Sequence, residues 1–379
     1  MGHAVVVGGG IGGLGAAVGL HRIGWDVTVL ERADGFTEVG AGISLWPNAL
    51  RCLDVLGVDL REHLRSQHDG GLRDRDGKRI TGWDAKAFER HHGLPLAAIR
   101  RADLIDGLKN ALPASSLHAG AEVTEAREDG LVRFTGGEIQ ADLVVAADGI
   151  RSPIRHTVAP HHPEPIYSGT TAFRGIAHRT ADLTTGWDRG TEIGVVPLTG
   201  DQAYWWIGYV TEPGIRHEDP KAHLLERFGD WHDPIPALIE ATDDVLHHDI
   251  YHLGTPLPRY AKGKIALLGD AAHAMPPFLG QGGCQALEDA VVLAAALSTS
   301  DVQTALKIYD GLRRPRSQMV AKKSVQAGKI GPQLRNPLAV AIRKALVKRI
   351  PAKAIARAGA KISDWQPPSL ARPVRPRTP

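Results

Sequence analysis

A glycine turn near the start, Gly8-Gly9-Gly10-Ile11-Gly12-Gly13, constrains the fold more than any other feature of this chain. It follows a short apolar run, Ala4–Val7, and precedes a stretch of helical spacing, Leu14–Ile23. Gly24 ends that helix and Asp26–Leu30 reads as a second strand, so the chain opens with a β-turn-α-β unit. In such a unit Gly8 permits the tight turn, Gly10 lets the backbone approach a pyrophosphate, and Gly13 lets helix and strand pack closely. The helix N-terminus offers unpaired N–H groups and a positive dipole end to the phosphates. Glu31 closes the second strand, where a carboxylate accepts hydrogen bonds from a ribose and repels a 2′-phosphate. A glycine turn alone is common. With the strand, the helix and Glu31 in place, it predicts a dinucleotide-binding α/β fold.

The 379 residues suit one or two domains, two being favoured. Hydrophobic content of 43% and charged content of 23% are those of an ordinary globular protein. No apolar run is long enough to span a bilayer. Met1 to Ala4 lead straight into a strand with no basic n-region, and Gly2 lacks the Ser or Thr that myristoylation wants where Val6 stands. Cys52 and Cys284 can form neither a disulfide framework nor a CxxC pair, so a cytoplasmic location is expected. The net charge of +3 hides a segregation, because 14 Lys and Arg and no acidic residue lie between Asp310 and Asp364. Such asymmetry predicts a basic surface element on an otherwise acidic protein.

After Glu31, Val39-Gly40-Ala41-Gly42-Ile43-Ser44 leads to Trp46-Pro47-Asn48 and a helix from about Ala49 to Leu56. Residues 70–97 read as short strands with turns, Asp76-Gly77 being a hairpin signal. A helix follows from Arg101, with Ala102, Ile105, Leu108 and Leu112 on one stripe. Glu122–Ala126, Leu131–Phe134 and Leu143–Ala147 read as strands, the last apolar throughout and ending in Asp148-Gly149. From about Ile166 to Leu257 the strands are short and alternating (Thr170–Ala177, Glu192–Pro197, Gln202–Val210), which predicts a mainly antiparallel sheet. Lys264–Leu268 is another buried run before Gly269-Asp270, and helices follow from about Gly283 and Val302. There is no internal repeat. The expected division is a cofactor domain in three parts (1–68, 98–165, 258–325) and a substrate domain in two (69–97, 166–257). A basic helical extension (326–366) and a Pro- and Arg-rich tail expected to be disordered (367–379) complete the chain.

Leu267-Leu268-Gly269-Asp270-Ala271-Ala272-His273, followed by Pro276-Pro277 and Gly280-Gln281-Gly282-Gly283, closely resembles the second FAD signature of the flavoprotein aromatic hydroxylases, the family of p-hydroxybenzoate hydroxylase. Asp148-Gly149 fits that family's middle motif, and Arg101, in Arg-Ala-Asp-Leu, fits its FAD-contacting arginine. The resemblance extends to roughly residue 320. Gly42–Asn48 and Gly280–Cys284 look most like the branch of FAD-dependent urate hydroxylase and 3-hydroxybenzoate 6-hydroxylase. It implies an α/β architecture: a Rossmann-type FAD-binding domain with an inserted β-rich substrate domain and a C-terminal helical extension. The FAD contacts it implies are Gly8, Gly10, Gly12, Gly13, Glu31, Arg32, Ser44, Arg101, Val123, Asp148, Asp270, Gly280, Gln281, Gly282, Gly283 and Cys284. Asp270, at the end of a buried strand, can accept from ribityl or ribose hydroxyls. Gly280–Gly283 would form a side-chain-free loop opening a helix, whose N-terminus faces the flavin N1 and C2=O, where negative charge gathers on reduction.

The resemblance further implies that NADH or NADPH reduces FAD and that a C4a-hydroperoxyflavin then hydroxylates or epoxidises a small, largely apolar, aromatic substrate. The protein must orient that substrate and exclude water, since a wet site releases hydrogen peroxide. No second glycine turn follows a strand, so NAD(P)H should dock transiently. The competing classes are a reductase or dehydrogenase on the same scaffold and a flavin-bearing sensor without turnover. The pocket is expected from Trp46, Arg174, Tyr204, Trp206, Pro277 and Phe278, with Tyr204 and Arg174 as catalytic candidates. Strand alternation puts Tyr204 and Trp206 on one face and Trp205 and Ile207 on the other; one pair lines the pocket or both belong to the core. Tyr204 falls where the urate hydroxylase has a functional tyrosine, but Glu192 stands where its substrate arginine should be, which disfavours urate. Arg174 could hold an anionic or carbonyl group, or simply meet flavin or a carboxylate. Trp205-Trp206-Ile207 does not match the Trp-x-Trp-x-Ile-Pro signature of flavin halogenases on this fold.

Three His-His pairs suggest metal, above all His247-His248-Asp249 with His252, but neighbours on a strand point apart, so no metal is expected. His273 is expected to pack near the cofactor rather than act as a base. In the basic tail Leu338, Ile342, Ala345, Leu346 and Ile350 form an apolar stripe beside Arg343, Lys344, Val347 and Lys348. It predicts a helix packed on the FAD domain or, alternatively, one resting on anionic lipid. No module for nucleic acid is present, and a monomer or homodimer is expected.

Overall fold

Apolar runs and alternating runs sort into different sheets in the computed structural model, which describes residues 2–37, 41–351, 354, 357 and 359–370. The apolar runs Ile265–Leu267, Leu143–Ala146, His3–Val7 and Asp26–Leu30 lie side by side in that order, all parallel. Leu117–His118 continues the sheet beyond Asp26–Leu30, and Ala261–Lys262 closes the other edge antiparallel. Their nearly complete burial removes any need for polar alternation. Helix Ile11–Arg22 packs on helix Gly282–Leu297 at close range; a Cβ on Gly19 would lie 2.9 Å from that of Ala294.

The alternating runs build a seven-stranded sheet in the order Leu246–His252, Ile166–Ala177, Ala203–Val210, Thr191–Pro197, Thr184–Asp188, Gly70–Arg73, Arg79–Trp83. Only the pairing of Thr184–Asp188 with Gly70–Arg73 is parallel. One face, with Phe173, Ile193, Val195, Trp205 and Ile207, packs under helices Pro220–Phe228 and Ile235–Glu240. The other turns Tyr204 and Val196 toward Ala41 and Ala98.

The hairpin at Asp76-Gly77 forms, with Gly77 at φ +81° and Asp74 N donating to Lys78 O at 3.0 Å. Residues 70–97 are not all strands, however. Ala85–His92 is a helix, capped by Asp84 accepting from Ala87 N and stopped by Gly93 in the left-handed region. In helix Arg101–Asn110 the buried side chains are Leu104, Ile105 and Leu108, while Ala102 is only partly covered and Leu112 lies past the end.

Helix Pro337–Lys348, capped by Asn336, does not lay its apolar stripe on the FAD-type core. It lies along Arg79–Trp83 with Arg343 and Val347 inward, and Leu338, Ile342, Ala345, Leu346 and Ile350 face out. The chain then returns, Arg51 and Arg316 donating to the carbonyls of Ser363 and Ile362. Residues 367–370 lie against the protein in part, and the rest of the expected disordered tail, 371–379, lies outside the described residues.

Candidate active site

Four parallel strands finish on one edge of the sheet, and each delivers a motif there: Gly8 after Val7, Glu31 after Leu30, Asp148 after Ala146 and Asp270 after Leu267. Ligands bind at such carboxyl edges where the strand order reverses, here between His3–Val7 and Leu143–Ala146. Gly8 takes φ +106°, and a Cβ on Gly13 would lie 1.9 Å from Gly8 O, so neither position admits a side chain. A Cβ on Gly10 or Gly282, by contrast, would meet no atom within 4 Å. These two glycines open the starts of helices Ile11–Arg22 and Gly282–Leu297, whose first turns touch: Gly12 faces Ala286, and Gly283 faces Ile11 and Ile43. Two helix N-termini thus offer unpaired N–H groups to one open groove.

Glu31 accepts from Gly9 N at 2.6 Å and Ala33 N at 2.9 Å, fixing the turn while keeping lone pairs for a ribose. Arg32 is exposed beside it. Val123 begins a strand whose approach runs next to Glu31, with Ala121 N donating to Glu31 O. Both oxygens of Asp148 are buried and meet no donor at bonding geometry among the described residues; burial raises its carboxyl, against the pull of Ser152 and Arg155. Orphaned acceptors at a strand end suit ligand hydroxyls. Ser44 pairs with Ala98, and Arg101, whose N–H donates to Ala41 O, starts its helix on the same side. Asp270 is exposed at the start of a short helix, after Gly269 at φ +61°. These features fit FAD: the first glycine turn would hold its pyrophosphate and the second its isoalloxazine ring.

The second glycine loop is not free of side chains. Helix Gly282–Leu297 begins where expected, but Gln281 turns its side chain inward, accepting from Asn48 and Gln285. Cys284 is fully buried against Ser44 O and Gly280 O, its thiol pushed up to about 12 by burial.

On the sheet above, cross-strand register puts Glu192 level with Gly208 and Ala172, and Gly194 level with Trp206 and Arg174, all on the face opposite the helices. Tyr204 comes so near the strand Gly42–Leu45 that a Cβ on Gly42 would lie 2.6 Å from its own. The Trp206 ring lies across Gly194, 5.7 Å from the Tyr204 ring. Arg174 makes no ion pair among the described residues; its charge and that of Arg101 pull the Tyr204 hydroxyl down, although burial raises it overall. Glu192 accepts from Trp187 Nε1 at 3.1 Å and from Trp206, and burial raises its carboxyl.

Trp46 does not join that group. Its ring stands edge-on to Trp83 and Phe88 beneath Gly280, a separate aromatic cluster. Pro277 is exposed, and Phe278 packs on Gly328 of the long helix Val302–Ile330. His247 stacks on Phe173 at 4.1 Å on the helix-covered face, while His248 points to the other, as alternation requires. Among the described residues the one cluster with metal-ligand spacing is His91, His92 and Asp364, not the set singled out from the sequence.

Sequence reasoning missed a buried charge network under the second glycine loop. Asp289 accepts from Gly269 N (3.0 Å), His273 Nε2 (2.6 Å) and Arg313 Nε (2.6 Å). Glu288 accepts from Asn48, Gln285, Arg313 and Arg316. Burial opposes ionisation of Asp289, yet His273 and Arg313 outweigh it and hold the carboxyl below its usual range. His273 is thus a strut of the loop. The only sequence signal was Gln285, Glu288 and Asp289 at helical spacing inside the otherwise apolar helix Gly282–Leu297.

The fold and the paired glycine turns define a flavoprotein of the FAD-binding α/β type. The chain belongs to the FAD binding domain family, matched over residues 2–324. Aurachin C monooxygenase/isomerase of Stigmatella aurantiaca is 38% identical over 359 residues, covering 91% of this chain and 93% of that protein. FAD-dependent urate hydroxylase of Klebsiella pneumoniae is 33% identical over 338 residues, covering 85% and 88%. The crystal structure of Klebsiella pneumoniae HpxO with FAD and uric acid superposes with a TM-score of 0.88 at 29% identity, covering 95% of this chain and 96% of that one. The chain is a FAD-dependent monooxygenase.

Proposed function

We propose that this enzyme uses NAD(P)H and O2 to hydroxylate or epoxidise a small aromatic or heteroaromatic molecule lying between the flavin and the inner face of the seven-stranded sheet. The carrying observation is the makeup of that face: Tyr204 and Trp206 supply flat apolar surface, Arg174 a cation and Glu192 a partly buried acceptor. When bound, the flavin supplies electron transfer from NAD(P)H and activation of oxygen. Gly10 leaves room for the pyrophosphate, while Gly8, Gly12 and Gly13 let the turn and its helix pack closely; Glu31 and Asp148 would accept from the cofactor's hydroxyls, and the N–H groups from Gly282 onward would serve its ring. Arg174 orients a carbonyl or hydroxyl of the substrate. Glu192, held by two indoles, accepts from a substrate N–H or O–H and offers no cation to a carboxylate, which favours neutral ring substrates over carboxylates.

The relatives support monooxygenation rather than reduction on the same scaffold. Among the described residues no helix is long and apolar enough to cross a membrane. Two free, buried cysteines suit the cytoplasm, where the enzyme acts as a monomer or homodimer. The test is a panel of neutral heteroaromatics, phenols and benzoates scored for stimulated NAD(P)H oxidation, with product mass followed in parallel. Neutral rings should couple oxidation to a product heavier by one oxygen. A protein that oxidises NAD(P)H only with benzoates, or makes no oxygenated product, refutes this reading.

A further inference from the structure

We infer that helix Pro337–Lys348 is a docking element for an anionic lipid surface, placed beside the substrate side of the sheet. Its apolar residues face away from the protein: Leu338 is 71% exposed, Ile342 52%, Leu346 59% and the following Ile350 43%, and Ile330 at the preceding helix end is 72% exposed. In a helix serving only to cover a core these would be the buried positions. The inner side is polar instead. Arg343 lies over the Trp187 ring at 5.1 Å and donates to Gly331 O, while Lys344 pairs with Asp74.

Charge complementarity names the occupant. Lys329, Arg335, Lys348 and Arg349, next to the stripe in the chain, are exposed, as are Lys322 and Lys323 on the preceding helix, and no acidic residue occurs from 311 to 363. An apolar strip flanked by unneutralised cations matches acyl chains bordered by anionic headgroups. A second copy of the chain fits poorly. It would bring the same cations face to face, and a helix of this length presents a face of roughly 200 Å², well short of the ~800 Å² per partner of a stable dimer.

The placement has a use. Trp187, capped by Arg343 from this helix, donates to Glu192 on the pocket face, so the lipid-facing element is one residue layer from the substrate side. A protein resting on the bilayer here takes its aromatic substrate from the lipid phase. That clause rests on the substrate reading above; the docking itself does not.

The experiment is co-sedimentation of the FAD-loaded full chain with vesicles of phosphatidylcholine alone or mixed with phosphatidylglycerol, at low and high salt. We expect binding to the mixed vesicles, weakened by salt, and little to phosphatidylcholine. The double variant Ile342→Asp/Leu346→Asp should lose about tenfold or more in partitioning while keeping its flavin and melting temperature. The inference is overturned if the wild type ignores the mixed vesicles or if the variant binds them equally. It is also overturned if the variant instead abolishes a dimer seen by ultracentrifugation while neither protein binds vesicles. Because turnover is not read, failure of the substrate assignment leaves this result standing.

Discussion

Arg313 and Arg314 are neighbours on one helix, and replacing each by leucine should have very different consequences. Arg313 is fully buried and reaches Asp289 Oδ1 (2.6 Å), Glu288 Oε2 and Gln285 Oε1 (2.9 Å). Without it, Glu288 keeps Arg316, but Asp289 keeps only His273 and the Gly269 N–H. Breaking a buried ion network by removing one partner costs about 3–5 kcal/mol, because the stranded charge cannot return to water. Arg314 pairs with Asp310 at 3.1 Å, with side chains 33% and 22% exposed. A partly exposed pair one helical turn apart contributes ~0–1 kcal/mol, and Asp310 keeps the Tyr260 N–H. At about 2 °C per kcal/mol, suitable for a long chain, Arg313→Leu should melt about 6–10 °C lower and Arg314→Leu within about 2 °C of wild type. Thermal unfolding followed by circular dichroism and by flavin fluorescence measures both. Since Asp289 also holds Gly269, Arg313→Leu should release FAD before the protein unfolds. If the two variants melt together, or Arg313→Leu keeps its flavin up to the unfolding transition, the network does not support the loop.

Gly10→Val should fold normally but lose FAD affinity by about a hundredfold or more, because its side chain enters open space, whereas Gly13→Val should fail to fold because its Cβ meets Gly8 O; flavin content and circular dichroism separate the two. Arg174→Ala should raise KM for carbonyl- or hydroxyl-bearing substrates without altering flavin content, and unchanged KM and turnover would rule out its role as an anchor. Burial, aided by Arg216 and His217, pushes His247 down from 6.5 to about 4. The unfolded chain therefore takes this proton first, and the site's contribution to stability, complete above pH 6.5, is lost as pH falls toward 4. His247→Gln should shrink the drop in melting temperature between pH 7 and pH 5, though not abolish it, since His223 and His252 are shifted the same way.

Local pattern made the FAD-type half legible. Glycine turns and apolar runs signal their own structure, and the edge where Gly8, Glu31, Asp148 and Asp270 meet follows from parallel strands. Helix Ala85–His92 was hidden because Phe88 is its one large apolar side chain, too few for a stripe. Gln281 and Cys284 show a different limit: a motif position identifies a loop but not which way a side chain turns, and here Asn48 and the carbonyl of Ser44 decide it. The tail helix was legible as amphipathic, yet the direction of its apolar side depended on Trp187 and Asp74, residues far away in sequence. The sheet face bearing Tyr204 and Trp206 followed from alternation alone.

The strand Ile265–Leu267 pairs with Leu143–Ala146, which itself lies against the strand His3–Val7. During synthesis the outer backbone of Leu143–Ala146 therefore stays unpaired until the ribosome has added more than a hundred further residues. The insertion is made in that interval, and its seven-stranded sheet, except for the hairpin Gly70–Trp83, is complete before the nucleotide-binding sheet can close. Fragments ending before Ile265 should collect as aggregates rather than as small folded flavoproteins, and the cofactor can enter only a nearly finished chain.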